Sequence, residues 1–157
     1  MDTSTFIAVG ENIHCTRIYK VGGKFVRALD DNTYVITYTV DGEERHLPVP
    51  QHFVESEEWA KKKVKHVAVA IWQGVYGDDA GKAAGIDYLE HMVRVQEAHG
   101  ASFLDLNVDE FSTDVDERVQ LIQWAAQVIQ NISSVPLSID SSDLTILKAG
   151  LAACDPA

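Results

Sequence analysis

Apolar positions in the second half of the chain alternate between helical and extended spacing. Two short apolar runs, Ser102–Val108 and Val135–Ile139, are typical of buried strands. Three longer segments with apolar residues on one helical face surround them, namely 79–100, a segment that begins at Asp114 or Asp116, and Asp143–Ala153. This helix–strand alternation predicts βαβ units and a parallel sheet, and therefore an α/β fold.

The first half of the chain has a different pattern. Thr5–Val9 is a short apolar run before Gly10, which predicts a first buried strand, and the segment after it reads as a loop. Three β-rich segments follow: Lys24–Leu29, Thr33–Val40 and Glu43–Val49. Asp30-Asp31-Asn32 separates the first two, and Asp41-Gly42 separates the last two as a strong two-residue hairpin signal.

A helix is predicted from Ser56, a residue type that caps helices, to about Gln73. The strand ends near Glu11 and Asn107 are too far apart for a single βαβ step. We therefore interpret residues 16–77 as a β-hairpin and helix inserted after strand one.

Composition narrows the classes of function. The chain has 157 residues, of which 46% are hydrophobic, and a formal net charge of −11, which argues against binding to nucleic acid. The longest apolar runs are too short for a membrane span. The two cysteines, Cys15 and Cys154, form no CxxC pair, which favours a reducing, cytoplasmic environment over a disulfide framework.

Polar residues cluster where the predicted parallel strands end. They are Glu11 and Asn12 after strand one, Asp105 and Asn107 in strand two, and Asp140 and Ser141 after strand three. Ligands of parallel α/β proteins bind beyond the carboxyl ends of the strands, so these residues are candidate ligand contacts. Simpler alternatives remain open, because Asp140 suits a turn or a helix start and Asp105 suits a structural hydrogen bond.

Glu11, His14 and Cys15 are residue types that ligate metals. No second group of cysteines and histidines follows at zinc spacing, so we predict no metal site. His14 is interpreted as a buried loop histidine and Cys15 as a packed thiol.

Three segments resemble the pterin-binding TIM-barrel family. GASFLDLNVD and VPLSIDSSDLTILKAGL resemble its second and third strand segments, and FIAVGENIH resembles the first strand of its methyltransferase branch, VGER-x-N. The family includes the methyltetrahydrofolate:corrinoid methyltransferases, the folate domain of cobalamin-dependent methionine synthase, and dihydropteroate synthase. The resemblance covers Phe6–His14 and Asp87–Leu151 and implies a partial TIM (β/α)8 barrel, its first three βα units, with residues 1–157 as the N-terminal part of one domain.

The resemblance also implies roles. Asp140 would accept both N–H groups of the 2-amino-4-oxopyrimidine edge of the pterin, and Asn107 would donate to and accept from the ring. Asp105, Ser141, Glu11 and Asn12 are the further candidates. The implied reaction moves the N5 methyl group of methyltetrahydrofolate to the Co(I) corrinoid (cobalamin) of a partner protein or domain. Asn12 and His14 depart from the family, which has arginine and asparagine at these positions.

Two other functions remain open from the sequence. A dihydropteroate synthase-like enzyme is disfavoured, because Asp109 and Glu110 stand where that branch has a glycine- and serine-rich phosphate loop. A non-catalytic interaction module is the second alternative, with the insertion binding a partner. Because a complete barrel takes about 250 residues, we expect this chain, ending at Asp155-Pro156-Ala157, to be a fragment. Alone, such a fragment is expected to bind poorly, to oligomerise, for instance as a homodimer, or to aggregate.

Overall fold

A computed structural model describes residues 6–29 and 33–154 of the chain, so Thr5, Asp30-Asp31-Asn32 and Asp155-Pro156-Ala157 lie outside the described residues. The fold is mixed α/β. Its strands are β1 (Val9–His14), β2 (Ile18–Lys20), β3 (Val26–Ala28), β4 (Tyr34–Val40), β5 (Glu43–Pro48), β6 (Lys63–Lys65), β7 (Phe103–Asn107) and β8 (Leu137–Ile139). Its helices are α1 (Gln51–Val54), α2 (Glu57–Ala60), α3 (His66–Tyr76), α4 (Asp79–Ala98), α5 (Val115–Ile132) and α6 (Leu144–Ala153).

The chain divides into two compact units. Residues 6–14 and 92–154 form the first unit, and residues 15–29 and 33–91 form the second. The second unit therefore begins directly after β1 and extends past the predicted insertion, 16–77, into α4.

The first unit is built on a parallel sheet with strand order β1-β7-β8. The apolar residues Leu104 and Leu106 of β7 are fully buried, as expected for the middle strand of a parallel sheet. Leu121, Ile122, Ala125 and Ile129 form the buried stripe of α5 at helical spacing. Asp114 and Asp143 accept N–H groups at the starts of α5 and α6, so local capping fixes where both helices begin.

The position of the first strand differs from the prediction. The apolar residues Phe6 and Ile7 are exposed, and the strand runs instead from Val9 to His14, a segment predicted mostly as loop. Its register against β7 shifts between Gly10 and Ile13, which marks a bulge. The bulge lets Ile13 return to the core while Glu11 and Asn12 face solvent. The sequence pattern concealed this strand because its alternation is broken at the bulge.

Among its described residues, the second unit contains two antiparallel sheets. The predicted three β-rich segments are confirmed as the sheet β3-β4-β5, and Asp41 and Gly42 have φ values of 52° and 85°, as the hairpin turn requires. The predicted single helix from Ser56 to Gln73 is wrong. It is divided into α2 and α3 by β6, which pairs with β2, and Lys62 turns the chain between them with φ of 60°.

The parallel sheet of the first unit is open within the described residues, with β1 and β8 at its edges. None of the helices in 6–29 and 33–154 has both the length and the apolar character needed to cross a bilayer.

Candidate functional site

The carboxyl ends of β1, β7 and β8 lie side by side at one edge of the parallel sheet. His14, the last residue of β1, is in register with Asn107, the last residue of β7. Leu106 is in register with Ile139, so Asp140 follows β8 at the same level, and its N–H donates to Leu106 O at 3.0 Å. Strand register therefore brings residues from three distant parts of the sequence into one row.

Asp140 is the centre of this row. Asn107 donates from Nδ2 to Asp140 Oδ2 at 2.8 Å, and His14 Nε2 lies 3.1 Å from the same oxygen. His14 Nε2 is also 3.7 Å from Asp105 Oδ2. We call His14, Asp105, Asn107 and Asp140 the strand-end cluster.

The four members of the strand-end cluster differ in exposure. Asp105 and Asn107 are 8% and 5% exposed, whereas the side chain of Asp140 is 53% exposed. The cluster is therefore a half-buried group with one side open to solvent, and Asp140 forms that open side.

The amide of Asn107 is held at both ends. Its Nδ2 donates to Asp140, and its Oδ1 accepts the N–H of Asp109 at 2.9 Å. The second contact closes a local turn after β7 and fixes which end of the amide points to Asp140. Asn107 is thus preorganised by its own loop.

The buried carboxyl group of Asp105 carries an electrostatic cost. Burial raises its pKa above the ordinary value, the negative charges of Asp140 and Glu11 act in the same direction, and a hydrogen bond from Ser138 and the charge of His14 oppose them. The cluster therefore favours a positively charged or hydrogen-donating ligand at this point.

Ser141 lies in a separate contact between the loops that follow β7 and β8. Its hydroxyl donates to Asp109 Oδ1, and Ser142 donates its N–H and hydroxyl to Asp109 Oδ2 at 2.7 and 2.8 Å. Burial alone would raise the pKa of Asp109, but these hydrogen bonds and the charge of Arg118 lower it overall. The structure thus gives Ser141 a loop-joining contact and leaves it outside the strand-end cluster.

Glu11 and Asn12 lie at the bulge of β1. The N–H of Asn12 donates to Gln96 Oε1 at 3.0 Å, and both residues line a shallow cavity of about 280 Å³ with Gly10 and His99. Their side chains are exposed, and the charge of Glu11 reaches Asp105. The structure therefore brings Asp105, Asn107 and Asp140 together, with Glu11 acting electrostatically and Asn12 outside the cluster.

Sequence reasoning recognised His14 as a metal-ligating residue type but left it out of the predicted site residues. The sequence pattern predicts an earlier strand and a loop at His14, whereas His14 ends β1 and contacts two carboxylates. Among the described residues, one ligand atom each from His14, Asp105 and Asp140 lie within 4.8 Å of one another, close enough to hold a metal ion. The proximity of His14 to Asp140 follows only from strand register, because Asp140 is 126 positions further along the chain.

A second cavity, of about 350 Å³, lies within the second unit. Aromatic rings form much of its wall, including Tyr19, Phe25, Tyr38 and Tyr88. Tyr19 stacks on the buried ring of His66 at a centroid distance of 3.9 Å. None of the sequence-predicted site residues lines this cavity.

The chain was also compared with known proteins. No protein-family model matches it, and no solved structure matches it either.

Proposed function

We propose that the strand-end cluster binds the pyrimidine edge of a pterin, and that the chain belongs to an enzyme that moves a methyl group from methyltetrahydrofolate to a corrinoid. The observation that carries the proposal is the contact between Asn107 and Asp140, 2.8 Å apart at the ends of adjacent parallel strands. It pairs an amide with a solvent-accessible carboxylate, and this pair matches the mixed donors and acceptors of the ring.

The 2-amino-4-oxopyrimidine edge presents two adjacent N–H groups, which a carboxylate accepts as a fork. Asp140 has the exposure to receive them, while Asn107 and Asp105 are buried beside it. In this proposal Asn107 orients Asp140 and the ring, and Asp105 adds a second acceptor.

His14 has to respond when such a ligand binds. A carboxylate oxygen has about two acceptor positions, and Asp140 Oδ2 already contacts both Asn107 and His14. A fork uses both oxygens, so one ligand N–H takes the position that His14 occupies. We therefore expect His14 to turn away from Asp140 in the complex.

The proposal includes a fold. β1, β7 and β8 would be the first three strands of a (β/α)8 barrel, with α4, α5 and α6 as the helices that follow them, and residues 16–77 inserted after the first strand. The parallel order β1-β7-β8 and the position of the polar residues at the carboxyl ends support this assignment.

The chemistry of the site would be positioning. A ring held by its pyrimidine edge presents N5 and its methyl group in a fixed direction for an acceptor, the Co(I) corrinoid of a partner protein or domain. Protonation of N5 helps the amine to leave.

The test is a calorimetric titration of methyltetrahydrofolate in buffer containing EDTA. Asp140→Asn preserves shape but removes the charged acceptor, so binding should weaken by about 2–3 kcal/mol, or roughly 30- to 150-fold. Asp116→Asn, at an exposed carboxylate in the first turn of α5, is the matched control and should bind as the wild type does. Equal affinity for Asp140→Asn and the control would remove Asp140 from the site.

A second titration separates the two enzyme classes. A pterin pyrophosphate should bind more weakly than methyltetrahydrofolate, because Asp109 and Glu110 place negative charge after β7. Tighter binding of the pyrophosphate would instead favour the dihydropteroate synthase-like reaction. Absence of binding by either pterin would overturn the proposed function.

A further inference from the structure

We infer that His14, Asp105 and Asp140 form a binding site for a divalent transition-metal ion, with Zn²⁺ the best match. One residue comes from each of three parallel strands or their ends, and the three donor atoms lie within 4.8 Å of one another. The proposal is independent of the pterin, because it concerns the residues of the chain without folate.

The spacing of the donor atoms fits a small metal ion. Donors at about 2.1 Å from a tetrahedral metal lie about 3.4 Å from each other. His14 Nε2 is 3.1 Å from Asp140 Oδ2 and 3.7 Å from Asp105 Oδ2. All three donor atoms lie within 4.8 Å of one another, so the two carboxylate oxygens would have to approach each other by at most about 1.4 Å to bind one tetrahedral ion.

The type of donor selects the class of metal. One imidazole and two carboxylates are nitrogen and oxygen ligands, which suit Zn²⁺ and similar transition metals. Mg²⁺ and Ca²⁺ prefer sets made of oxygen alone. His14 therefore distinguishes this site from an ordinary acidic pocket.

The charges of the cluster also favour a cation. A protonated imidazole carries one positive charge, whereas Asp105 and Asp140 together carry two negative charges when ionised. Asp105 is 8% exposed, and a buried carboxylate is costly unless a charge or several donors compensate it. A divalent ion between the three side chains would compensate both acids at once.

The surrounding residues orient the proposed ligands. Asn107 donates to Asp140, and Ser138 donates to Asp105, so each carboxylate is held by a neighbour. Such outer contacts are common around protein metal sites. The exposed side of Asp140 leaves a further coordination position open to water or a ligand.

The experiment uses the 157-residue chain treated with a chelator and then dialysed. Titration with Zn²⁺ alone should show one equivalent bound, and Co²⁺ should give the ligand-field absorption of a low-coordinate site. His14→Ala and Asp105→Asn should each weaken Zn²⁺ binding by about tenfold or more. His99→Ala, at an exposed histidine of the same unit, is the control and should bind as the wild type does.

Two outcomes would overturn the metal site. The first is that the wild-type chain binds less than one equivalent of Zn²⁺. The second is that wild type and His14→Ala bind Zn²⁺ with equal affinity. Circular dichroism checks that His14→Ala and Asp105→Asn are folded. Because the two residues lie on different strands, the other variant still tests the proposal if one of them fails to fold. Folate titrations run in EDTA, so failure of the metal site leaves the pterin proposal standing, and the reverse also holds.

Discussion

Asn107 and Asp140 are joined by a 2.8 Å hydrogen bond between the ends of two adjacent parallel strands. The bond orders the edge of the sheet, because Asn107 is also tied to Asp109 in the following loop. The direction of the bond is important, because the amide N–H of Asn107 donates to a carboxylate oxygen that is close to a second acid, Asp105.

Replacing Asn107 by Asp tests the importance of this direction. The variant retains an acceptor for Asp109 N–H but places a carboxylate against Asp140, so we expect destabilisation by about 1–3 kcal/mol at neutral pH. Hydrogen–deuterium exchange of β7 and β8 peptides measures the change in the first unit. Gln127→Glu adds the same charge at an exposed position of α5 and should change stability by less than about 0.5 kcal/mol. Similar exchange in both variants would show that the amide is dispensable.

Zn²⁺ and methyltetrahydrofolate should compete, because both proposed complexes use Asp140. At free Zn²⁺ about 100 times its own Kd, the apparent Kd for folate should rise about 100-fold. In His14→Ala the same Zn²⁺ concentration should raise the apparent Kd for folate by only about tenfold or less, while folate binding without metal should tighten several-fold, since the ligand no longer displaces His14. Calorimetric titrations with and without Zn²⁺ give both values. An undiminished Zn²⁺ effect in His14→Ala would contradict the shared site.

Gly150 allows α6 to approach the sheet beside Asp140. A Cβ at this position would lie 2.7 Å from Ile139 Cγ2 and 2.9 Å from Ile122 Cγ1, both shorter than normal contacts. Gly150→Ala should therefore destabilise the first unit by about 1–2 kcal/mol, because overpacking outweighs the gain in helix propensity. Exchange rates of α6 and β8 peptides report the change, with exposed Lys148→Ala as the control. A net stabilisation would mean that the helix moves freely enough to admit the methyl group.

His66 should make the second unit less stable in acid. Burial, followed by the charge of Arg17, lowers its pKa from 6.5 to about 4. The unfolded chain then binds a proton between these pH values and the folded chain does not. The contribution of His66 to the free energy of unfolding is therefore complete above pH 6.5. It falls by about 3 kcal/mol in total as the pH decreases towards 4.

Urea unfolding between pH 7 and pH 4.5 checks this expectation. A Trp124→Phe background confines tryptophan fluorescence to Trp59 and Trp72, which both lie in the second unit. His66→Asn retains an acceptor for the hydroxyl of Tyr88 but cannot titrate, so the free energy of unfolding should depend less steeply on pH. Parallel slopes for His66→Asn and wild type would refute the role of His66.

Local sequence patterns were sufficient for much of the fold. The periodic helices α4, α5 and α6, the strands β7 and β8, and the hairpin at Asp41-Gly42 were predicted because short-range spacing, caps and turn residues determine them. The same patterns predicted that polar residues would follow parallel strands. Asp105, Asn107 and Asp140 do meet, since parallel strands of one sheet end at the same edge.

Local patterns failed where pairing over long distances decides the structure. β6 forms because it pairs with β2, and this pairing divides a segment that reads as one helix. Ser141 donates a hydrogen bond to Asp109 of the neighbouring loop, and the sequence around Ser141 does not indicate this contact. Glu11 and Asn12 face solvent because a bulge interrupts β1.

By itself the sequence determined the helices and strands from α4 onward, the hairpin sheet β3-β4-β5, the parallel sheet, and the polar residues in β7 and directly after β8. Tertiary structure alone decided that His14 ends β1 and lies 3.1 Å from Asp140. The physical reason is that helices, caps and tight turns depend on residues a few positions apart, whereas the register of β1 depends on burying Ile13 against a strand far along the chain.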